Sequence, residues 1–449
     1  MIAGDLDRFA TLLGARRIGP PAAFQGVAID SRKVTPGSLF IALRGERFDG
    51  HAFVSQAMGQ GAAAVLVAEQ PPEGVPGLMV SDTRQALGTL GRNWRRSHDA
   101  QVIGVTGSNG KTTVKQMLAA ILGGVAPTLA TAGNLNNDLG VPLTLCRLAP
   151  EHRFAVIEMG ANHQGEIAAL ARLAEPTIGV VTNAGPAHLE GFGGLDGVAH
   201  GKGELFAGLP NEGTAVINAD DAYAPLWQRL AGERHTLTFG LEAPASVTVA
   251  SDAQGASLVL PDARLPLGRG AWPRHQRANA AAAAATALAA GVAGDAIAAG
   301  LAGYEPAAGR LGQVAGPEGS TLLDDTYNAN PGSLDAALEV LAATAGRTWL
   351  VLGDMGELGD AAAEQHARAG REARRHGIER LYTLGELSAE AAHAFGAGAR
   401  HFTDRDALIR ALASDLRGNV TALVKGSRSM GMEHVVAGLR PDPVDGETR

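Results

Sequence analysis

The sequence predicts an α/β protein of three domains, and two observations support this. A chain of 449 residues is too long for one ordinary hydrophobic core. Short apolar runs that end in polar residues alternate with helical patterns, which is typical of parallel sheets covered by helices. We expect a small α/β domain over residues 1–98, a central domain with a phosphate-binding loop and a parallel sheet over 99–311, and a Rossmann-like domain over 312–449.

The elements follow from local patterns. In the first domain, apolar runs at 38–43 and 62–69 predict strands. In the central domain a strand at 101–105 precedes a helix, because the residues that follow repeat at helical spacing: Val114, Met117, Leu118, Ile121 and Leu122. Residues 240–270 predict an antiparallel segment. Other strands should run into polar loops within 154–160, 177–185, 213–221, 320–331, 348–359, 380–385 and 420–430.

Composition excludes several classes of protein. The formal charge of −8 argues against nucleic-acid binding and against a membrane-surface role. The alanine-rich stretch from Arg277 to Asp295 is too short to span a bilayer and predicts a buried helix instead. Cys146 is the single cysteine, so an internal disulfide is impossible. With no secretory signal at the start, we expect a cytoplasmic protein without membrane insertion.

Residues 104–115, GVTGSNGKTTVK, predict a nucleotide site. A strict P-loop has glycine where this chain has Val105, although Gly104 and Gly107 flank that position. A strand leads into the loop and a helix follows, so backbone N–H groups can face phosphate. Lys111 supplies a positive charge and Thr112 can ligate Mg²⁺. The alternative is a glycine-rich turn with a solvated lysine. The ATP-binding candidates here are Gly107, Ser108, Asn109, Gly110, Lys111, Thr112 and Thr113.

Two further polar residues follow apolar strands of the central domain. Glu158 and His188 suit the binding of Mg²⁺ or the positioning of water. Each taken alone is more often a structural hydrogen-bonding group. Lys202, judged by itself, resembles an ordinary surface lysine. His275 and Asn279 lie one helical turn apart and share a face, although they would equally suit the polar first turn of a helix.

The last domain contains an unusual polar segment, LLDDTYNANP. Asp324 or Asp325 could accept hydrogen bonds from ribose hydroxyls, and Asn328 and Asn330 suit peptide-like groups. The alternative is an Asx-rich turn. Lys425 and Arg428 are expected in a loop after a strand, where two cations suit a substrate carboxylate or phosphate. Exposed basic loops are common, so this signal is weaker.

Together these motifs resemble those of the Mur ligases, both in their sequences and in their order, over essentially the whole chain. The segments are VTGSNGKTT, GNLNNDLGVPLTL, EMGANHQGEI, TNAGPAHLEGFG, KGEL, LDDTYNANPGS, VLGDMGELG and VKGSRSM. Residues 30–53 are similar to the uridine-nucleotide-binding domain of the later family members. YNANP matches the member that adds a dipeptide, whereas the preceding ligase has an Asp-Asn-Pro-Arg-like motif there.

The resemblance implies an ATP-dependent amide ligase that forms an acyl phosphate. Its substrates would be a UDP-N-acetylmuramoyl-tripeptide and D-alanyl-D-alanine, and the chain is expected to act as a monomer that closes on them. Whether the third peptide residue is meso-diaminopimelate or lysine stays open.

The resemblance also implies residue roles. Catalysis would use Lys111, Glu158, His188 and Lys202. Mg²⁺ would be held or oriented by Thr112, Glu158, His188 and Lys202, with Lys202 carbamylated by CO₂. ATP would be bound further by Asn279, Arg310 and Asp325. The uridine diphosphate would be bound by Ser31, Arg32, Asp49, Gly50 and His51. The acceptor would be bound by Asn328, Asn330, Lys425 and Arg428. The family commonly has asparagine where this chain has Gln276, so Asn279 is the better candidate for adenine contact.

Three alternatives are open. A P-loop kinase or general NTPase would release ADP without an amine. A ligase like folylpolyglutamate synthase would not need the N-terminal uridine domain. A non-catalytic nucleotide-binding module would not need the intact set of Lys111, Glu158, His188 and Lys202.

Overall fold

A computed structural model describes residues 1–45, 48–252, 255–267 and 272–440. Three large sheets organise this part of the chain, and the predicted α/β class is confirmed. The predicted antiparallel segment is also confirmed where it is described. Its residues 253–254 and 268–270, and the end of the predicted third domain at 441–449, lie outside the described residues.

The N-terminal unit is a five-stranded sheet in the order β2-β7-β6-β5-β4, with a two-stranded pair β1-β3 beside it. Only the β2–β7 pairing within the larger sheet is antiparallel. Its elements are β1 Ala3–Asp5, α1 Leu6–Leu13, β2 Arg16–Ile18, β3 Ala23–Gln25, β4 Val27–Ala28, β5 Leu39–Ile41, α2 Val54–Gly59, β6 Ala64–Val67, β7 Gly77–Met79 and α3 Thr83–Arg96.

The central unit is a six-stranded parallel sheet in the order β13-β12-β11-β8-β10-β9. Its elements are β8 Gln101–Thr106, α4 Lys111–Gly123, β9 Thr128–Ala130, α5 Gly140–Leu145, β10 Phe154–Glu158, α6 Glu166–Ala174, β11 Ile178–Val181, α7 Leu189–Phe192, α8 Leu195–Ala207, β12 Thr214–Asn218, α9 Ala224–Ala231, β13 His235–Phe239, the antiparallel strands β14 Thr248–Asp252, β15 Gly255–Val259 and β16 Arg264–Pro266, and the helices α10 Arg274–Ala289 and α11 Gly294–Ala302.

The C-terminal unit is a six-stranded sheet in the order β17-β18-β22-β19-β20-β21, parallel except for β17. Its elements are β17 Gly312–Ala315, β18 Thr321–Asp325, α12 Pro331–Ala342, β19 Arg347–Gly353, α13 Ala362–Arg375, β20 Arg380–Leu384, α14 Ala389–Phe395, β21 Ala399–Phe402, α15 Arg405–Asp415, β22 Val420–Lys425 and α16 Glu433–Leu439.

The position of β8 in the central sheet locates the nucleotide loop. β8 pairs with β10 on one side and β11 on the other, so the chain reverses its direction of winding there. In open parallel sheets, ligands bind beyond the carboxyl ends of the strands at such a switch point. The loop after β8, Glu158 at the end of β10 and the segment after β11 therefore meet at one edge.

The alanine-rich helix α10 is buried, as predicted. Ala280–Ala287 lie in the core between the central sheet and α4. Small side chains let α10 approach its neighbours closely, so its polar first turn reaches the sheet edge where the loop after β8 lies. In the described part of the chain, no helix is long and apolar enough to cross a membrane.

The N-terminal unit is joined to the central unit by apolar packing. α3 packs on α5, and Cys146 lies in one hydrophobic cluster with residues of the N-terminal sheet and α3. The helices meet at Gly91, where an added Cβ would lie 2.8 Å from Cα of Pro142. Gly88, one turn earlier in α3, has room, because its Cβ would lie 3.4 Å from Leu173.

This contact gives a test of the joint. Replacing Gly91 with alanine should lower the free energy of unfolding by about 1–3 kcal/mol, because the methyl group overpacks the α3–α5 contact. Gly88→Ala in the same helix is the matched control, and it should gain up to about 1 kcal/mol from helix propensity. Urea denaturation measures both. Equal effects of the two substitutions would contradict the close packing of α3 on α5.

Candidate active site

A cavity of about 1040 Å³ lies between the carboxyl edges of the central and C-terminal sheets. Its volume suits two ligands of moderate size. Of the candidates that the sequence placed in these two units, three lie outside its lining: Gly107, Lys202 and Asp324, the alternative to Asp325. It is lined by Ser108, Asn109, Gly110, Lys111, Thr112, Thr113, Glu158, His188, Asn279, Arg310, Asp325, Asn328, Asn330, Lys425 and Arg428.

The phosphate loop needs glycine at two positions. Gly107 has φ +141°, and an added Cβ would lie 1.9 Å from Oγ1 of Thr182. Gly110 has φ +82°, and its Cβ would lie 2.3 Å from Oδ1 of Asn279. Both the backbone conformation and the close approach exclude a side chain here. The loop is therefore pressed between the end of β11 and the first turns of α10.

Hydrogen bonds from the segment after β11 fix the loop. Oγ1 of Thr182 donates to the carbonyl oxygen of Asn109 (2.6 Å), and Asn183 both accepts from the N–H of Asn109 (3.0 Å) and donates to its carbonyl (3.1 Å). The hydroxyl of Ser108 donates to the carbonyl of Gly185 (3.0 Å). The loop is thus held in shape by its own chain, with the start of α4 directed at the cavity.

Lys111 is folded back onto this loop. Its Nζ donates to the carbonyl oxygens of Gly107 (2.7 Å) and Ser108 (3.0 Å). Burial lowers the pKa of the Lys111 ammonium below its usual value, while the nearby Glu158 carboxylate acts in the opposite direction. An anionic phosphate in the loop would offset this cost of burial, since it places a negative charge next to the ammonium.

Glu158 is the final residue of β10 and is almost completely buried. Its Oε1 accepts from Nδ2 of Asn136 (2.8 Å) and from the hydroxyl of Thr112 (3.2 Å). Its Oε2 lies 3.0 Å from Nζ of Lys115, at an angle that leaves it without a hydrogen-bond partner. Burial raises the pKa of Glu158, but the Lys115 and Lys111 ammonium groups outweigh it, so the pKa lies below its usual value.

The oxygens of Glu158 and Thr112 fit a magnesium ion. Mg²⁺ prefers oxygen ligands and usually takes one or two carboxylates together with substrate phosphates. The structure brings the Thr112 hydroxyl into contact with Glu158 and leaves one carboxylate oxygen without a hydrogen bond. In the described ranges, no group of three or more histidine, cysteine, aspartate or glutamate side chains is placed to hold a metal by itself.

Lys202, on α8, is 1% exposed. The expectation from its own sequence context, a surface lysine, is therefore wrong. Its Nζ donates to the carbonyl oxygen of Ala161 (2.9 Å) and lies 4.8 Å from the centre of the Phe192 ring. Burial, aided by the Lys111 charge, lowers the pKa of Lys202 to about 7. Ala161 lines the large cavity, so the amine lies behind that wall.

The C-terminal wall carries a buried ion pair between Lys425 and Asp325. We expected Lys425 in a loop, but it is the last residue of β22 and 2% exposed, because Asp325 at the end of the neighbouring β18 neutralises its charge. Nζ of Lys425 also donates to the carbonyl of Asn328 (3.0 Å). Arg428 begins a 3-10 helix beyond the strand and pairs with Glu433 (2.9 Å).

Two polar contacts join the C-terminal side to the phosphate loop. Asn330 caps α12 through the N–H of Ser333 (2.8 Å), and its Nδ2 donates to Oδ1 of Asn109 (2.8 Å). Arg310 lies over the ring of Tyr327, 4.1 Å from its centre, and donates to Oγ1 of Thr112 (3.1 Å). Arg310 therefore contacts residues of both units.

The five uridine-site candidates lie around α2 in the N-terminal unit. Asp49 and His51 line a separate cavity of about 350 Å³. Nε2 of His51 accepts from the N–H of Ala68 (2.8 Å). Ser31 donates to Gln56 on α2 (3.1 Å), while Arg32 is exposed and pairs with Asp30. Gly50 packs closely against the segment after β5, since a Cβ there would lie 2.7 Å from the N atom of Leu43.

Three residues at this site were not predicted from the sequence: Lys115, Asn136 and Glu357. Lys115 lies three and seven residues before the buried Leu118 and Leu122, so its helical register with them was a signal that it is buried. Asn136 sits in the polar segment GNLNNDLG with no feature that separates it from its neighbours. Glu357 contacts His188, a pairing that no sequence pattern indicates.

Comparison with known proteins accounts for this arrangement. Three family models match: the Mur ligase family catalytic domain over residues 23–95, the Mur ligase middle domain over 105–287, and the Mur ligase glutamate ligase domain over 309–428. The chain belongs to the Mur ligase family. Within this Mur ligase, the middle-domain match contains the phosphate loop, Glu158, His188 and Lys202.

Individual similar proteins support the same family assignment. A UDP-N-acetylmuramoyl-tripeptide–D-alanyl-D-alanine ligase from Escherichia coli (strain K12) is 45% identical over 98% of this Mur ligase and 99% of the relative. A crystal structure of MurF from Acinetobacter baumannii superimposes with a TM-score of 0.89 at 34% identity, covering 98% and 99% of the chains. MurF ligase from Thermotoga maritima in complex with ADP gives a TM-score of 0.82 at 28% identity, covering 92% and 97%.

The Lys115–Glu158 pair yields a stability prediction. Lys115→Met should lower the free energy of unfolding by about 3 kcal/mol, because the Glu158 carboxylate is left buried without its counter-charge. The matched control is Lys33→Met, which removes an exposed lysine and should have little effect. Adding Glu158→Gln to Lys115→Met should recover part of the loss. Urea denaturation that shows no difference between Lys115→Met and Lys33→Met would rule out this role of the pair.

Proposed function

We propose that this Mur ligase joins D-alanyl-D-alanine to UDP-N-acetylmuramoyl-tripeptide with consumption of ATP. One observation carries the proposal: a single cavity has a phosphate loop with the half-buried Lys111 on one side and the YNANP segment with Lys425 on the other. ATP and an amine acceptor can therefore approach the same carboxylate from two units of the chain.

The reaction needs ATP because a carboxylate does not form an amide efficiently at neutral pH. A carboxylate oxygen of the tripeptide attacks the γ-phosphorus, and ADP leaves. The free amine of D-alanyl-D-alanine then attacks the carbonyl carbon of the acyl phosphate. The tetrahedral intermediate loses inorganic phosphate, and the nitrogen loses a proton to leave the amide.

The residues of the chain support the first step by position and charge. The loop N–H groups and the start of α4 receive phosphate oxygens. Lys111 neutralises charge that develops during the transfer. Glu158 and Thr112 would hold Mg²⁺, which when bound neutralises the phosphates further. Asn279 and Arg310 would contact ATP from α10 and from the linker between the units, and Asp325 from the C-terminal wall.

From these positions, each of the three units would bind a different ligand. Residues 1–98 would bind the uridine end of the donor through Ser31, Arg32, Asp49, Gly50 and His51, residues 99–311 would bind ATP, and residues 312–449 the acceptor through Asn328, Asn330, Lys425 and Arg428. The chain would act as a monomer. We place the activity in the cytoplasm, where ATP is available.

Phosphate release tests the function and separates it from that of a kinase or general NTPase. Release should require both the UDP-tripeptide and D-alanyl-D-alanine, because the acyl phosphate turns over only when the amine accepts the acyl group. The product should be the UDP-linked pentapeptide, identified by mass spectrometry. Rapid release with either substrate alone would favour the NTPase alternative.

We further infer that Lys202 is carbamylated. The buried amine donates one hydrogen bond and lies near the cavity wall, and its lowered pKa provides the neutral form that attacks CO₂. The new N–C bond, with loss of a proton from nitrogen, converts a cation into a carboxylate-like metal ligand. On this proposal, the buried lysine behind the cavity wall supplies a ligand to the cation site.

Labelling tests the carbamate directly. Wild-type protein equilibrated with ¹³C-bicarbonate should show a carbamate signal by NMR, and Lys202→Ala should lose both that signal and most of the ligase activity. Lys33→Ala, which removes an exposed lysine, serves as the control for nonspecific labelling. An unaltered rate for Lys202→Ala would remove the carbamate from the mechanism.

A further inference from the structure

His188 and Glu357 face each other across the joint between the central and C-terminal units. Nδ1 of His188 lies 2.6 Å from Oε2 of Glu357. The Nδ1 atom is shielded from solvent, and the approach of the carboxylate is not aligned for a hydrogen bond. His188 follows β11, whereas Glu357 follows β19 in the other sheet. Both residues line the large cavity.

The backbone at both residues is unusual. His188 has φ +54° and Glu357 has φ +60°, which is the left-handed region that residues other than glycine rarely adopt. Such conformations cost free energy and persist only where the surrounding structure imposes them, commonly at functional sites. Two residues with left-handed backbone conformations therefore meet at one contact between the units. An incidental surface contact would not explain why both adopt such a conformation.

The loop that carries Glu357 is firmly anchored in its own unit. The Asp354 carboxylate accepts from the N–H groups of Glu386 (3.0 Å) and Ser388 (2.8 Å), and the Asp354 carbonyl accepts from the N–H of Ser427 (2.9 Å). The N–H of Met355 donates to Nε2 of the fully buried His366 (2.9 Å). Glu357 is thus presented from a rigid support, although its own side chain is largely exposed.

We propose that Glu357 is a positioning residue, which orients the His188 imidazole through Nδ1 when the two units meet and leaves Nε2 as the nitrogen available to a ligand in the cavity. The inference rests on the proposed function, since it takes His188 to act at the magnesium site. Carboxylates commonly orient metal-binding histidines through the ring nitrogen that does not bind the metal.

One consequence is that the metal site is completed only when the central and C-terminal units are in contact. In a separated arrangement the His188 ring would lose the group that faces Nδ1. Removal of Glu357 should therefore weaken metal binding in the nucleotide complex, while the uridine site in the N-terminal unit is untouched.

The test uses Mn²⁺ as a paramagnetic substitute for Mg²⁺ and the full-length chain with adenylyl imidodiphosphate. Electron paramagnetic resonance gives the Mn²⁺ dissociation constant. Glu357→Ala should raise it about ten-fold, the lower end of the effect typical for groups that orient metal ligands. Glu357→Gln should give a smaller increase. Asp360→Asn, which removes an exposed carboxylate from the same loop, should match wild type. Thermal unfolding midpoints check that each variant folds.

A double-mutant cycle decides whether Glu357 acts through His188. In a His188→Ala background, Glu357→Ala should have no further effect on Mn²⁺ binding. A further ten-fold loss in that background, or a Glu357→Ala value equal to that of Asp360→Asn, would overturn the inference. Because the readout is Mn²⁺ binding, it is separable from the proposed function, which fails instead if the wild-type chain forms no amide from the two substrates.

Discussion

The phosphate loop is wedged between the end of β11 and the first turns of α10, and the rest of the site depends on this contact. Gly107 touches Thr182 and Gly110 touches Asn279 so closely that neither glycine can carry a side chain. The loop therefore cannot relax without moving a central strand and a buried helix. Its N–H groups are fixed before any ligand arrives, so binding costs little reorganisation of the chain.

Buried charges around the cavity are arranged in compensated groups with a positive excess. Lys115 and Lys111 surround Glu158, and Lys425 is paired with Asp325. These three ammonium groups outnumber the two carboxylates, and the excess favours ligands that carry several negative charges, as nucleoside triphosphates do.

The sequence predicts the central features of the fold because they are local. Alternating strands and helices, the loop after β8 and the polar residues at strand ends all follow from patterns of a few neighbouring residues. The pairing of Lys425 with Asp325 is not local, since the two residues are 100 positions apart and meet only because β18 lies beside β22. A lone lysine is usually exposed, so its burial was not predictable. The contact of Glu357 with His188 required knowledge of how two sheets face each other.

The two joints of the molecule differ in chemical character. α3 and α5 share an apolar core with the N-terminal sheet. The side-chain contacts described at the joint between the central and C-terminal units are polar, and they are made by Arg310, Asn330 and Glu357. Separating the first joint would expose hydrocarbon to water, but water can replace the partners in the second. The N-terminal and central units therefore form a fixed frame. A donor held at its uridine end in the way proposed above would have to reach the phosphate loop by its own length. The fixed frame would thus select donors by length, because a peptide that is too short or too long would place its carboxylate short of the γ-phosphate or beyond it.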